Sequence, residues 1–412
     1  DHRDLHSFPT RRSSDLTPTR MVISGGEITY EAEVEPVLAL QGEALALPDD
    51  LPEVYIVKAA GVLLPGGQIK PAQILIENGR IGGIFELGET ISQAKIFDLG
   101  VALVTPGLIS AHVNLGQSLT AETDDPFTPE IRAADALDPA HRVLQRCRDA
   151  GFLTVAVAPG SANVVNGSVA VIRTGEVDAI WSEMASMKVT LTTSSRSANR
   201  YPGSLAGQVA LLQKAFRGQA IETRLVLPPA VKKELMAERK RRVNAVRKGN
   251  QRVLIEASTR AEIRAALQLI DQFKLRATLL YPSELEPFVE DLLRLDVGVI
   301  VRPLKADDYD RYLDQIAAAA RQGVAIAFGS NNPMECRLTA SLAAAAGMPR
   351  QAALSALTET AAALVAAPSV AGRLVKGAPA DFVVWNGTPL DLCRKPLSLI
   401  VGGRLVEPNN EN

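Results

Sequence analysis

The residues with the greatest chemical potential end the stretch VTPGLISAHVNLG, from Val104 to Gly116. His112 offers an imidazole that can bind a metal ion or carry a proton, and Asn114 offers an amide two residues later. A catalytic zinc-type site needs about three protein ligands, normally histidine nitrogens or carboxylate oxygens, and an open position for water. The chain has only four histidines, and His2 and His6 lie near its start. Any metal site must therefore draw on very few imidazoles.

Three stretches of the chain resemble one family. VTPGLISAHVNLG is similar to the "TPGLIDAHxH" segment that ends the first barrel strand in the amidohydrolase superfamily. GRLVKGAPADFVVWNGTPLDL resembles the closing strands of amidohydrolases such as imidazolonepropionase. PGSANVVNG resembles the "PGSxNVxxG" loop after the second barrel strand in imidazolonepropionase-like metal-dependent hydrolases. The resemblance covers nearly everything from Val54 onward, and it implies a barrel enzyme that hydrolyses C–N bonds with a divalent metal.

The resemblance also assigns residues at the carboxyl ends of the barrel strands, where the active sites of such barrels lie. Relatives place two histidines on the first strand, a lysine or glutamate on the fourth, histidines on the fifth and sixth, and an aspartate on the eighth. Carried over by motif, these positions hold His112 and Asn114, then Lys188 or Thr193, then Glu256, Ser258, Tyr281 and Asn331.

Only His112 and Glu256 among these residues keep side chains that bind a divalent metal well. Amide and hydroxyl oxygens, such as that of Asn114, bring no charge to offset the cost of stripping water from the ion. Asn331 stands where relatives carry the aspartate that takes a proton from metal-bound water, and an amide cannot accept a proton near neutral pH. We therefore predict that metal and base are lost together and that no cofactor is bound. The alternative is one divalent metal, such as zinc, on His112 and Glu256.

Five features have more than one possible role. Glu256 is either an acid at the barrel mouth or a carboxylate paired with an arginine such as Arg302. Cys336 has no recognisable histidine partner, so we expect an inert thiol. His141 falls in a predicted helix, where a surface or packing role is expected. Lys188 and Tyr281 could form a pair of donors or simply fill the pocket. The PGSANVVNG loop either binds a ligand or is a turn that needs glycine at positive φ.

Two β-rich ends flank a middle of alternating strands and helices. From Val54 to Leu103, and again from Ala380 to Val406, short β-branched runs between glycine turns indicate antiparallel strands. Helical patterns such as RAEIRAALQLIDQFKL separate the apolar runs FLTVAVAP, MKVTLTT, RVLIEAS, RATLLYP, VGVIVRP and VAIAFGS. The pattern predicts an α/β fold, a (β/α)8 TIM-like barrel with a small β-sandwich domain built from both chain ends. We expect the barrel at 103–370 and the sandwich at 21–102 and 371–408.

Composition and charge exclude several classes of protein. With 47% hydrophobic and 22% charged residues in 412, the chain is typical of a globular protein with a sizeable core. A net charge of −2 gives no reason to expect nucleic acid, and no apolar run is long enough to span a bilayer. The basic run from Lys232 to Lys248 lacks interleaved aromatic residues, so we expect a solvated helix face or loop. Three widely spaced cysteines without a CxxC motif favour a reducing, cytoplasmic location.

Residues 1–20 are expected to be an artefact or a disordered tail. LHSFPTRRSSDL, from Leu5 to Leu16, reads as the translation of a common sequencing-adapter oligonucleotide and shows no apolar period. Met21 would then be the true start. A genuine basic tail is the alternative, and a truncation at this point would leave open an export signal that has been lost.

Three hypotheses for function follow. The leading one is an amidohydrolase-fold protein with a decayed metal site, non-catalytic, that binds a small-molecule ligand or pairs with a related active amidohydrolase. The second is a hydrolase acting on the C–N bonds of cyclic amides, imidazolones or dipeptides, either metal-free or mononuclear. The third is a structural subunit. No nucleic acid or membrane partner is expected, and a homo- or hetero-oligomer both stay open.

Overall fold

The computed structural model describes residues 21–24, 27–31, 43–91, 94–116, 122–175, 179–305 and 311–407. The expected artefact or tail at 1–20 lies outside the described residues. Residues 1–41 belong to a separate unit, in which strands β1 (Met21–Ser24) and β2 (Glu27–Glu31) pair antiparallel. The second unit, residues 42–412, contains all the elements that follow.

The described strands of the second unit form two eight-stranded sheets. The terminal sheet consists of β3 (Val54–Leu63), β4 (Ile69–Glu77), β5 (Arg80–Phe85), β6 (Lys95–Asp98), β7 (Leu103–Pro106), β16 (Phe382–Trp385), β17 (Pro396–Val401) and β18 (Arg404–Leu405). The barrel sheet consists of β8 (Ile109–Val113), β9 (Thr154–Val157), β10 (Val165–Arg173), β11 (Ile180–Thr190), β12 (Arg252–Glu256), β13 (Ala277–Leu280), β14 (Gly298–Val301) and β15 (Ile326–Phe328).

The terminal sheet joins strands from both ends of the sequence. Strand β16 pairs antiparallel with β7, and β7 lies parallel to β3. The indole of Trp385 in β16 donates to the Thr105 hydroxyl in β7 over 2.9 Å, which fixes the register of this junction. The predicted β-rich domain built from both chain ends is confirmed. Strand β7 belongs to this sheet although its first residue was the expected start of the barrel, and the domain boundaries themselves stay predictions.

The barrel sheet runs in chain order from β8 to β15. Strands β8 and β9 are parallel, as are β11 to β15, whereas β10 is antiparallel to both of its neighbours. The predicted α/β barrel is therefore confirmed, with a meander β9–β10–β11 in place of two helical crossovers. Each of the six apolar runs that predicted barrel strands overlaps one strand of this sheet. Of the other two strands, β8 lies in the Val104–Gly116 stretch that the resemblance assigned to the first barrel strand, and the reversed β10 was not predicted.

Hydrogen bonds from serine residues close the gap between the last barrel strand and the first. The Ser110 hydroxyl in β8 donates to the Ser330 carbonyl over 3.1 Å and accepts from the Ser330 N–H over 3.4 Å. A side chain at Gly329 would place its Cβ 2.8 Å from the backbone nitrogen of His112. Glycine is needed at this position because the two strand ends approach so closely.

Helices pack around the barrel and connect its strands. Their bounds are α1 (Arg142–Asp149), α2 (Leu205–Phe216), α3 (Pro229–Arg247), α4 (Arg260–Phe273), α5 (Val289–Arg294), α6 (Arg311–Arg321), α7 (Pro333–Ala345), α8 (Arg350–Ala356) and α9 (Glu359–Leu364). Helix α4 confirms the helix predicted from RAEIRAALQLIDQFKL. It begins with a capping box, because the Thr259 hydroxyl and the Glu262 carboxylate each accept a backbone N–H of the first turn.

Among the helices within the described ranges, none is both long enough and apolar enough to pass through a lipid bilayer.

Candidate functional site

Polar side chains meet at the carboxyl ends of the barrel strands. Glu256 is the last residue of β12, Tyr281 directly follows β13, and Lys188 lies two residues before the end of β11. His112 lies one residue before the end of β8. Because these strands run in the same direction, their carboxyl ends share one face of the barrel, the face on which such folds carry their active sites.

Lys188 is the most deeply buried charge at this face, with 1% of its side chain exposed. Its ammonium donates to the Pro159 carbonyl and to the Ser161 hydroxyl, each over 2.9 Å. It also lies 3.4 Å from the Glu256 carboxylate. Burial lowers the pKa of Lys188, and the nearby carboxylate opposes that shift. Thr193, the alternative for the fourth strand, is exposed, so of the two only Lys188 reaches the site.

Ser161 completes this group, and sequence reasoning did not single it out. The Ser161 hydroxyl donates to Glu256 Oε2 over 2.6 Å, and the same oxygen accepts from the Thr190 hydroxyl over 3.3 Å. We call Lys188, Ser161 and Glu256 the Lys188 cluster. The sequence did contain one signal for Ser161, because its hydroxyl lies in the PGSANVVNG loop, directly after a barrel strand.

An asparagine network holds the loop that carries Ser161. The Asn166 amide donates to the Asn163 carbonyl over 2.9 Å and to the Thr190 hydroxyl over 3.0 Å. From the other side, the Arg200 guanidinium donates to the Ala162 carbonyl over 2.6 Å. Thr190 in turn contacts Glu256, so the loop and the Lys188 cluster form one continuous hydrogen-bond network.

Gly167 in the same loop supplies the positive φ that the sequence led us to consider. Its φ is +109°, and a Cβ at this position would clash with the Ile131 carbonyl. Gly167 lies within β10, at a bulge in its pairing with β11, so this glycine serves the start of the strand, and the residues before it deliver the Ser161 side chain to the barrel mouth.

His112 and Tyr281 form a second group, the His112–Tyr281 pair. The Tyr281 hydroxyl lies 3.0 Å from the Gly329 carbonyl and 2.9 Å from His112 Nδ1. A carbonyl can only accept, so the single hydroxyl proton goes to Gly329 and the tyrosine oxygen accepts from His112 Nδ1–H. His112 Nε2 then carries a lone pair. Among the described residues this buried atom has no hydrogen-bond partner.

Tyr281 adopts a backbone conformation that a tyrosine rarely takes. Its φ is +61°, and it precedes Pro282, which further disfavours helical backbone angles. Such a conformation costs about 1–3 kcal/mol and persists only where its surroundings enforce it. Here the Tyr281 N–H donates to the Ile300 carbonyl over 2.9 Å, and the Ser258 hydroxyl donates to the Tyr281 carbonyl over 3.1 Å. The phenol is thereby held against His112.

The free energy of unfolding should depend on pH through His112. Burial, and secondarily the charge of Lys188, lower the pKa of His112 well below its ordinary value. In the unfolded chain this imidazole binds a proton at about pH 6.5, whereas the folded chain keeps it neutral. We therefore expect the free energy of unfolding to fall as the pH drops below about 6.5. The loss should approach about 1.4 kcal/mol per pH unit, measured by urea unfolding across that range.

A pair of histidine variants isolates this contribution. His112→Gln should remove this pH dependence of the free energy of unfolding. His141→Gln should retain it, because the His141 side chain lies apart from His112 and caps α1 by accepting from the Val143 N–H. Identical pH dependence in wild type and His112→Gln would show that the imidazole is not held neutral by the fold.

Backbone N–H groups after β8 occupy the side-chain oxygens of both Asn114 and Asn331. The Asn331 side-chain oxygen accepts from the Asn114 N–H over 2.7 Å, and the Asn114 side-chain oxygen accepts from the Gly116 N–H over 2.7 Å. The Asn331 oxygen thus joins the segment after β15 to the segment after β8, whereas the Asn114 oxygen stabilises a local turn after β8. This is a structural use of two positions that the resemblance placed in a metal site.

Two further candidates lie apart from the Lys188 cluster. Burial raises the pKa of the Cys336 thiol to about 12, and its sulfur lies 3.7 Å from the Ser110 hydroxyl. A protonated, buried thiol is a poor nucleophile. The guanidinium of Arg302 lies over the Tyr312 ring at 5.2 Å, whereas the cation beside Glu256 is Lys188.

Several solved structures share this architecture. An amidohydrolase from Thermotoga maritima superposes with a TM-score of 0.73 at 21% identity, covering 86% of this chain and 100% of that one. The chain has the amidohydrolase fold. A prolidase complexed with N-methylphosphonate-L-proline gives a TM-score of 0.54 at 15% identity, over 86% of this chain and 100% of that one. A β-aspartyl dipeptidase from Fervidobacterium islandicum, in complex with a β-Asp-Leu dipeptide, gives 0.51 at 15%, over 88% and 99%.

No protein-family model matches the sequence, and no curated protein does.

The amidohydrolase fold implies a divalent metal, and the donor set found here does not fit one. Glu256 Oε2 accepts a hydrogen bond from the Ser161 hydroxyl and lies beside the Lys188 ammonium, whose charge repels a cation. The Asn331 oxygen accepts from a backbone N–H. His112 Nε2 is then the one nitrogen at the motif positions that has no hydrogen-bond partner among the described residues and could bind a metal ion. Within the described ranges, no group of three or more histidine, cysteine, aspartate or glutamate side chains could hold a metal ion. About three ligands are needed.

Proposed function

We propose that this protein is an amidohydrolase-fold protein whose metal site has been lost and whose barrel mouth binds a small polar ligand. The observation that carries the proposal is the Lys188–Glu256 contact of 3.4 Å. Glu256 is the one carboxylate among the motif positions carried over from relatives. The Lys188 ammonium beside it neutralises the negative charge that would attract a metal ion. The amidohydrolase-fold neighbours support hydrolase-type chemistry in general, and the loss of the metal is inferred from this chain's own residues.

The ligand that suits the site carries both a donor and an acceptor, as a small cyclic amide or a dipeptide does. Among the residues that the structure describes, the buried His112 Nε2 has no donor, and a ligand N–H would satisfy it; an unsatisfied buried acceptor costs about 1–3 kcal/mol. Ser161 and Glu256 are both partly exposed and complete a polar rim. Together these groups favour recognition of an amide.

Metal analysis and thermal shift test the proposal together. We expect protein purified after growth with added zinc and manganese to contain far less than one metal per chain. We also expect a cyclic amide to raise the melting temperature equally with and without a chelator, and a ligand at 100 times its Kd should stabilise by about 2.7 kcal/mol. Near-stoichiometric metal, or a shift that a chelator abolishes, would overturn the proposal.

A cavity elsewhere in the fold supplies the control for the binding site. A space of about 350 Å³ lies between α2 and α3, lined in part by Phe127, Ile221, Met236 and Val243. If the ligand binds at the barrel mouth, His112→Phe should abolish the thermal shift and the cavity-filling Met236→Trp should preserve it. The reverse result would place binding between the helices and contradict the proposal.

The alternative of C–N bond hydrolysis is favoured in its metal-free form by one observation. The Ser161 hydroxyl is hydrogen-bonded to a carboxylate at the barrel mouth. Pairing with a related active amidohydrolase, a purely structural role, oligomer formation and a cytoplasmic location stay predictions from the sequence.

A further inference from the structure

The Ser161 hydroxyl lies between an acceptor and a donor of opposite charge. It donates to Glu256 Oε2 over 2.6 Å and accepts from the Lys188 ammonium over 2.9 Å. A serine becomes a nucleophile when an adjacent base takes its proton and a third group orients the pair. We propose that Ser161 attacks the carbonyl carbon of a small amide or ester at the barrel mouth, with Glu256 accepting its proton. This goes beyond the proposed binding function and rests on the same site.

Exposure divides the Lys188 cluster into reacting and supporting parts. The Ser161 residue is half-buried and 16% of the Glu256 side chain is exposed, so a small molecule can reach both. Only 1% of the Lys188 side chain is exposed. Lys188 is therefore a positioning residue. Its bonds to the Pro159 carbonyl and the Ser161 oxygen direct the serine proton toward the carboxylate.

Backbone N–H groups next to the nucleophile are free to stabilise an oxyanion. Within the described residues, the N–H groups of Ser161 and Ala162 donate to no acceptor. Arg200 bonds to the Ala162 carbonyl and Asn166 to the Asn163 N–H, so the peptide unit directly after these two donors is held on both sides. Backbone donors next to a nucleophile can stabilise the oxyanion of a tetrahedral intermediate, and we assign that role to these two N–H groups.

The reaction balances with water as its only other reactant. The Ser161 Oγ–carbonyl bond forms as the hydroxyl proton passes to Glu256, and the carbonyl π electrons move to the oxygen. Collapse breaks the C–N or C–O bond, and the leaving nitrogen or oxygen takes the proton from Glu256. Water then attacks the acyl-serine ester, giving its proton to Glu256, and the acid departs as the proton returns to Ser161 Oγ.

Acetylation by p-nitrophenyl acetate in the presence of a chelator tests this directly. We expect a burst of nitrophenolate close to one equivalent per chain and an acetyl group that peptide mapping places on Ser161. Glu256→Gln should slow the burst by about 100-fold or more, because it removes the base. Ser161→Ala should remove the burst, and Ser194→Ala, an exposed serine outside the site, should retain it.

Folding and binding readouts keep the outcomes distinct. Each variant is checked by its melting temperature, and Ser161→Cys, which keeps a nucleophile of similar size, should restore acylation if Ser161→Ala is folded but silent. Acetylation of Ser161→Ala at the wild-type rate, or an acetyl group found elsewhere, would overturn the inference. If cyclic amides still raise the melting temperature while Ser161 stays unmodified, the inference fails and the proposed binding function stands.

Discussion

Replacing Lys188 by methionine is expected to lower the free energy of unfolding by about 3–5 kcal/mol, the cost of breaking a buried ion pair from one side. Methionine fills a similar volume and keeps the apolar stem, so the change removes mainly the ammonium. The Glu256 carboxylate would then lack its cation, and the Pro159 carbonyl would lose a donor 2.9 Å away. Urea unfolding followed by circular dichroism measures the loss.

An exposed lysine gives the matched control. Lys58 lies 2.7 Å from Asp98, closer than Lys188 lies to Glu256, but the two side chains are 39% and 54% exposed. Lys58→Met should therefore cost less than about 1 kcal/mol, because water screens the pair. Equal losses at the two lysines would show that burial does not govern the Lys188 pair.

A double variant separates the lost charge from lost packing. Lys188→Met combined with Glu256→Gln should be more stable than Lys188→Met alone, because the amide leaves no unpaired charge in the barrel. Strictly additive losses would mean that the two side chains are not energetically coupled.

Replacing Arg239 in α3 by methionine is expected to cost a similar amount, about 3–5 kcal/mol. Its guanidinium donates to Asp125 over 2.9 Å and to both oxygens of Glu130 over 2.7 and 3.0 Å. The side chains of Arg239 and Asp125 are each 2% exposed. Removing the arginine would leave one carboxylate buried without a cation and a second partly buried. Urea unfolding again provides the measurement.

The same helix carries the control for this prediction. Arg241 is 75% exposed and pairs with Glu238 one turn away, so Arg241→Met should change stability by about 0.5 kcal/mol or less. If both variants lose the same stability, the effect comes from helix propensity and not from the buried ion pair. The basic run is thus a solvated helix face along most of its length, with Arg239 as a buried exception.

Strand and helix positions were predicted well because their signals are local. The apolar run RVLIEAS contains β12, and the three- and four-residue spacing in RAEIRAALQLIDQFKL gave α4. The reversed direction of β10 was not predicted. A strand's direction depends on which neighbours it pairs with, and its own residue pattern is the same either way.

The candidate site was predicted only in part. Lys188 and Glu256 were named from their motif positions, and the structure brings them within 3.4 Å. Ser161 was missed because a single serine in a loop of small residues is a common feature of turns. Its partner Glu256 is 95 residues away along the chain, so no local spacing could connect them.

The amino-acid sequence alone determined which donors this protein lacks, because Asn114 and Asn331 are amides whatever their surroundings. It also determined the alternation of elements that builds the barrel. The tertiary structure decided what the remaining groups do. It placed the Lys188 ammonium beside Glu256, turned the Asn331 oxygen toward a backbone N–H and left His112 Nε2 without a partner among the described residues. Hydrogen-bond partners distant in sequence are selected by packing, which no local pattern encodes.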